Sequence, residues 1–197
     1  MKKLANIKTR PLNKEEFNLI IKTIREGFVL PGNTRVKPNC RISNCLFVEG
    51  SLGMRIGDVL RMKLENIIWD GDKYRLNITE EKTGKKRTFP VPTDFYIYLQ
   101  NYALQNGIKP NQRLFNLTVR AVQHHLSLTC KYLGLSGIST HSFRKYFSMS
   151  VYLNSNHNLE LVRQLLMHSN CAITTAYLNI SSKEIEDALN NHITIPA

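Results

Sequence analysis

What the chain has little of narrows its class before any motif is considered. Cys40, Cys45, Cys130 and Cys171 form no CxxC pair and no Cys/His group at zinc-ligand spacing. That argues against a structural zinc or a disulfide framework, and the four thiols read as reduced in a cytoplasmic protein. No apolar run approaches the ~20 residues that a membrane-spanning helix needs. Met1-Lys-Lys leads into LANIKTRPLN and not into an apolar stretch, so no signal peptide is legible. Repeats and low-complexity tracts are absent as well. The most informative absence is of negative charge: from Phe95 to Leu159 there is no Asp or Glu, while six Lys or Arg and four of the six His fall there. A carboxylate-free span of this kind is what a phosphate-binding face requires.

What is present is basic. Lys and Arg number 27 against 15 Asp and Glu, giving a net charge of +12 and a pI of about 9.7, which favours a polyanionic partner through phosphate contacts and counterion release. At 197 residues one full domain is expected, with residues 1–11 as an arm or linker remnant and 12–197 as the domain.

Leu12 to Phe17 reads as a helix start, with Asn13 as N-cap, Glu16 as its capping-box partner and Leu12 stapled against Phe17. Phe17, Ile20, Ile21, Ile24 and Phe28 continue with helical period. Val29 to Pro38 reads as a loop, and a second helix with Ile42, Cys45, Leu46 and Val48 inward ends near Gly50 to Gly53. In GMRIGDVLRMKL, Arg55 opens a short helix, where a surface pairing with Asp58 or Glu65 is the plain alternative to a functional role. From Glu65 to Val91 the period changes to two: Ile67 to Trp69, Tyr74 to Thr79 and Lys86 to Val91 predict a three-stranded antiparallel sheet with turns at Asp70-Gly71 and Lys82-Thr83-Gly84-Lys85. The second turn carries Lys82, Lys85, Lys86 and Arg87. Helices follow from Thr93 to Asn106 and from Thr118 to Leu133, the latter with Arg120 and Lys131 on a polar side. Thr140 is the expected cap of the next helix, and Phe143, Phe147 and Val151 are expected in the core. Leu159 to Met167 is amphipathic, a short helix starts near Ala172, and Ser181 to Glu184 caps a last one. The expected fold is mainly α with a small three-stranded antiparallel sheet.

The chemistry concentrates between Thr140 and Tyr177. His141 and Arg144 stand one helical turn apart at a helix start, where free N–H groups and the dipole favour a phosphate. His168 ends the apolar helix in LLMHS, and Tyr177, a possible oxygen nucleophile, lies nine residues further on. The ordered spacing constrains more than any residue alone. This HxxR pair, later His and Tyr closely resemble the catalytic domain of the tyrosine recombinases, the phage-integrase family. The resemblance extends to Gly53-Met54-Arg55 followed by Asp58, and to EKTGKKRTFPVP, which looks like the family's KTGKxRxVPL and places its lysine at Lys82. It covers about Leu12 to Ser182, departing where Met167 replaces a usual Gly, where LGMR replaces TGLR, and between Phe28 and Cys40.

The resemblance implies Arg55, Lys82, His141, Arg144, His168 and Tyr177 as the catalytic set. Arg55 and Arg144 would hold the phosphodiester oxygens, and Tyr177 would form a 3′-phosphotyrosyl link. Lys82, with Lys85 and Lys86 as fallbacks, would protonate the departing 5′-oxygen, and His141 and His168 would donate hydrogen bonds. Lys85, Lys86, Arg87, Arg120 and Lys131 are expected DNA contacts. No metal or other cofactor is required, since arginines supply the charge that metals supply elsewhere. Double-stranded DNA is the implied partner, with a monomer in solution and a tetramer on DNA. The family's core-binding domain does not precede these residues, so a fragment of a longer integrase and a short stand-alone relative are both open. The rival readings are a non-catalytic DNA-binding protein of the same fold, a type IB topoisomerase-like enzyme and a helix-turn-helix regulator.

Overall fold

Asn13 opens the first helix as expected: its side chain accepts from the Glu16 N–H at 2.7 Å while the Glu16 carboxylate accepts from the Asn13 N–H at 3.1 Å. In the computed structural model, which describes residues 9–178 except for the side chains of Ala176 and Tyr177, this start launches α1, Lys14–Glu26. Its Phe17, Ile20, Ile21 and Ile24 are buried, as the helical period dictates. The chain divides into two compact units, Met1–Phe147 and Ser148–Ala197.

In the first unit, the stretch expected as a loop after Phe28 is instead a short hairpin. Strands β1, Phe28–Leu30, and β2, Thr34–Val36, pair antiparallel around Pro31-Gly32-Asn33. Gly32 and Asn33 reverse the chain with φ of 83° and 60°. Strands of three residues are too short for their alternation to be distinguished from loop sequence. Helix α2, Cys40–Leu52, follows an Asn39 cap that accepts from the Ile42 N–H at 3.0 Å.

Helix α3, Ile56–Arg61, and a 3-10 turn, Leu64–Asn66, lead into the sheet. Strands β3, Ile67–Trp69, β4, Tyr74–Thr79, and β5, Lys86–Val91, form it in the order β3-β4-β5, antiparallel throughout, with Leu76 opposite both Ile67 and Phe89. The three-stranded sheet matches the expectation. Helices α4, Thr93–Gln105, and α5, Val119–Tyr132, complete the unit's scaffold, the latter capped by Thr118 accepting from the Ala121 N–H.

Helix α6, Thr140–Asn154, begins at Thr140 itself, and the Ser139 N–H preceding it donates to Ser142 Oγ. One side of its first turns is anchored by aromatic rings: Phe17 stacks on Tyr146 at 4.5 Å and meets Phe143 edge-on at 5.8 Å. Gly50 of α2 allows this approach, since a Cβ there would lie 2.5 Å from the Phe17 ring. With Phe143 fully buried, His141 and Arg144 are carried on a helix whose rotation the core fixes.

In the second unit, α7, Leu159–Leu166, starts at an Asn158 cap and α8, Cys171–Leu178, follows after a short turn. Met167 closes α7 in the left-handed conformation with φ of 56°. This is the position where the resemblance led us to expect Gly, and the backbone gives the reason: an L side chain pays about 1 kcal/mol or more there. The expected last helix from Ser181 lies outside the described residues.

Candidate phosphate-binding site

Arg55 stands immediately before α3, with its carbonyl accepting from the Asp58 and Val59 N–H groups, so the start of the helix fixes its backbone. Neither surface pairing considered for it, with Asp58 or Glu65, is formed. Arg55 Nη1 instead donates to Glu80 Oε2 at 2.5 Å, and Asp58 pairs with Arg61. Glu80 follows β4 and leads into the turn that holds Lys82. It is 1% exposed, and around it gather Arg55, Thr83, Arg87 and Arg144.

Arg144 is fully buried. Its Nη1 donates to the Gly53 carbonyl and lies 3.9 Å from Glu80 Oε1. Gly53, in the left-handed conformation at the end of α2, has its ideal Cβ position within 2.2 Å of the Phe147 ring, so only glycine places that carbonyl there. Arg55 and Arg144, 89 positions apart in the sequence, therefore meet at one carboxylate.

Arg87 corrects an expectation. Read as a DNA contact at the hairpin tip, it is 1% exposed and points inward. Its guanidinium donates to the carbonyls of Leu52 at 2.7 Å and Gly53 at 3.2 Å, contacts Glu80 at 3.4 Å, and its Cζ lies 5.0 Å above the Phe89 ring. The physical reason is strand parity: Arg87, Phe89 and Val91 share one face of β5, and Val91 is core. The other expected DNA contacts, Lys85, Lys86, Arg120 and Lys131, are all exposed, as is Lys82.

His141 reports the charge of this cluster. Burial, followed by the fields of Arg144, Lys145, Arg55 and Lys82, holds its imidazole down to about 4, so it is neutral near pH 7. Burial is the largest cause of this shift, and the four cations add to it. Glu80 stays ionised despite its burial: desolvation raises its pKa, but hydrogen bonds from Arg55 and Thr83 and the charges of Arg55 and Arg144 more than offset this, and the pKa lies below the usual carboxylate value. Glu49, 1% exposed on α2, goes the other way, because burial outweighs the pull of Arg144 and the Ile56 N–H and raises it well above that range.

Sequence reading missed both carboxylates, though each carried a signal. Glu49 falls on the stripe of Ile42, Cys45 and Leu46, and Glu80 continues the inward parity of Leu76 and Ile78.

In the second unit His168 is buried, and its Nδ1 lies 3.1 Å from Thr174 Oγ1. Its backbone is held at both ends by Arg163, whose side chain donates to the His168 carbonyl and whose carbonyl accepts the His168 N–H. Tyr177 lies on α8, and its side chain is outside the described residues. Arg55 and Arg144 are thus brought together in the first unit, where the charges of both, with that of Lys82, act on His141, and His168 belongs to the second.

A mainly helical domain with this small sheet and a doubled-arginine site has the fold of tyrosine recombinase catalytic domains. The description "Phage integrase family" matches residues 10–184, and the chain belongs to that family. Among curated relatives, a tyrosine recombinase of Pseudothermotoga lettingae is 27% identical over 143 residues, covering 70% of this chain and 49% of that protein. The integrase of Escherichia phage P2 is 26% identical over 150 residues, covering 71% and 38%. The chain therefore spans about half the length, or less, of these relatives. Of solved structures, the XerH site-specific recombinase in a post-cleavage complex with a palindromic difH substrate superposes with a TM-score of 0.70 at 19% identity, covering 96% of this chain and 55% of that one. The catalytic domain of bacteriophage HP1 integrase gives 0.64 at 17%, covering 94% and 96%.

Proposed function

We propose that residues 12–197 form the catalytic domain of a site-specific DNA recombinase that cleaves and rejoins strands through a covalent 3′-phosphotyrosyl intermediate. The observation that carries this reading is the meeting of Arg55 and Arg144 at Glu80 beside a neutral His141 that feels four cations.

In this reading the two guanidiniums bind the non-bridging oxygens of the scissile phosphodiester and offset the charge that builds as phosphorus becomes five-coordinate. Tyr177 Oη attacks phosphorus, its proton leaves toward His141, and the bond from phosphorus to the 5′-oxygen breaks. Lys82, exposed on the β4–β5 turn, supplies the proton that makes the departing oxygen a free hydroxyl. His168 adds a hydrogen bond to the phosphate. Because one phosphate ester replaces another, a 5′-hydroxyl of a second strand reverses the step without an external energy source.

DNA is the partner in this proposal, by analogy with neighbours whose structures are complexes with difH, COC′ core-site and transposon-end DNA. Lys85, Lys86, Arg120 and Lys131 serve as phosphate contacts, and the working assembly is a tetramer on DNA formed from monomers in the cytoplasm.

The test is a duplex nicked near the scissile phosphate, so that cleavage releases a short fragment and traps the adduct. A protein–DNA band that survives denaturation supports the proposal. Its absence with DNA bound would favour a non-catalytic DNA-binding protein, and relaxation of supercoiled DNA lacking any specific site would favour a topoisomerase-like enzyme.

A further inference from the structure

We propose that Glu80 is the positioning residue of this site: one buried carboxylate fixes where the Arg55 guanidinium stands relative to Arg144 and ties both to the turn that carries Lys82. The proposal rests on the recombinase reading of Arg55, Arg144 and Lys82.

The hydrogen bonds have a direction of dependence. Arg87 is held independently, by the Leu52 and Gly53 carbonyls, and so anchors Glu80 from within. Glu80 Oε1 faces Arg87 and Arg144, while Oε2 accepts from Arg55 at 2.5 Å and from Thr83 Oγ1 at 2.9 Å. Among the described residues, Glu80 is the hydrogen-bond partner of the Arg55 guanidinium, whose side chain is 27% exposed. That ion pair sets the aim of the side chain, so without Glu80 a long and mobile arm would sample many rotamers. The same residue closes the turn around Lys82, with its N–H donating to the Lys85 carbonyl at 3.0 Å and its carbonyl accepting from the Gly84 N–H at 2.9 Å. Two charged groups proposed to act on one phosphate, on elements distant in sequence, are thus set by one acid. Three guanidiniums packed together repel, and a buried acid among them is the neutral point that lets two of them face a common anion.

A positioning role separates from a purely structural one by coupling. Glu80→Gln keeps the shape but removes the charge, and it should slow single-turnover adduct formation about 10- to 100-fold while DNA affinity changes less than about threefold. The double variant Glu80→Gln/Arg55→Ala should be slower than Arg55→Ala by no more than the few-fold owed to the Lys82 turn, because most of the loss runs through Arg55. Losses that multiply would overturn the proposal. Thr83→Val, at an exposed turn residue, should slow the same step a few-fold with an unchanged melting temperature, and Glu80→Asp is read like Glu80→Gln if the latter does not fold.

A second measurement needs no catalysis. In the DNA-free protein, the heteronuclear NOE of the Arg55 Nε–H should be that of an ordered side chain and should fall in Glu80→Gln or Glu80→Asp. An equally ordered Arg55 in those variants refutes the role of Glu80 whatever the cleavage assay gives. A wild-type chain that forms no adduct refutes the recombinase reading, and the NOE comparison still decides on Glu80.

Discussion

Bringing a phosphodiester to the site should move the titration of His141, and the size of the movement can be worked out. In the DNA-free protein, burial and the cations of Arg144, Lys145, Arg55 and Lys82 hold the imidazole down to about 4. A phosphate monoanion about 5 Å away, at an effective dielectric of ~20, favours the protonated ring by about 3 kcal/mol. Because the ring is partly open to solvent, screening reduces this, and an upward movement of about 1 to 2 in pKa is expected. The assay is the pH dependence of the His141 Cε1–H resonance in the Tyr177→Phe chain, with and without duplex DNA. The same group affects stability. Above about pH 6.5 it is neutral whether folded or unfolded, and that contribution is complete; as pH falls from 6.5 toward 4 the unfolded chain takes up a proton that the folded site refuses, and stability is lost through that window. Discounted for solvent access, the loss amounts to about 1 to 2 kcal/mol. A DNA-free pKa near 6.5, or one that DNA leaves unmoved, would refute the reasoning that places four cations around this ring.

Arg87→Ala should lower stability by about 3 to 5 kcal/mol, since it removes a buried cation facing Glu80 and takes from the Leu52 carbonyl its side-chain donor, and thermal unfolding measures this. Gly53→Ala should both destabilise the fold and slow cleavage, because the new methyl displaces Phe147 or the carbonyl that holds Arg144; unchanged single-turnover rates would contradict the role given to that carbonyl. Met167→Gly should raise stability by about 1 kcal/mol by relieving a left-handed L-residue, an effect read from the denaturant midpoint. DNA affinity should fall steeply with salt, as phosphate contacts require, and affinity that stays level between low and physiological salt would count against them.

Much of the fold was legible because its signals are local. The Asn13 capping box, the Thr118 cap, the period of α1 and the alternation of β4 and β5 are each written within a few residues. The β1–β2 hairpin was not, because three-residue strands leave no periodicity to read. Within the candidate site, the ordered motifs pointed to Arg55, Lys82, His141 and Arg144, and of these Arg55 and Arg144 meet at Glu80. The acid that joins the arginines was hidden, since Glu80 looks like one more charge in a polar turn unless the strand parity is carried past Thr79. Arg87 was misplaced for the complementary reason: a cation in a basic turn reads as exposed, although it shares a face with Phe89 and Val91. Charge suggests the surface, but parity decides burial when the strand's partner residues are core.

The central claim is that the Tyr177 hydroxyl becomes bonded to DNA. It is tested most directly by trapping the adduct on a nicked suicide duplex, digesting the protein and locating the nucleotide-bearing residue by mass spectrometry. The account predicts the modification on Tyr177, no adduct from Tyr177→Phe, and a folded variant that still binds DNA, since the lost hydroxyl removes at most a hydrogen bond of ~1 kcal/mol. An adduct mapped to Tyr146 or Tyr152, or one that persists in Tyr177→Phe, would contradict it.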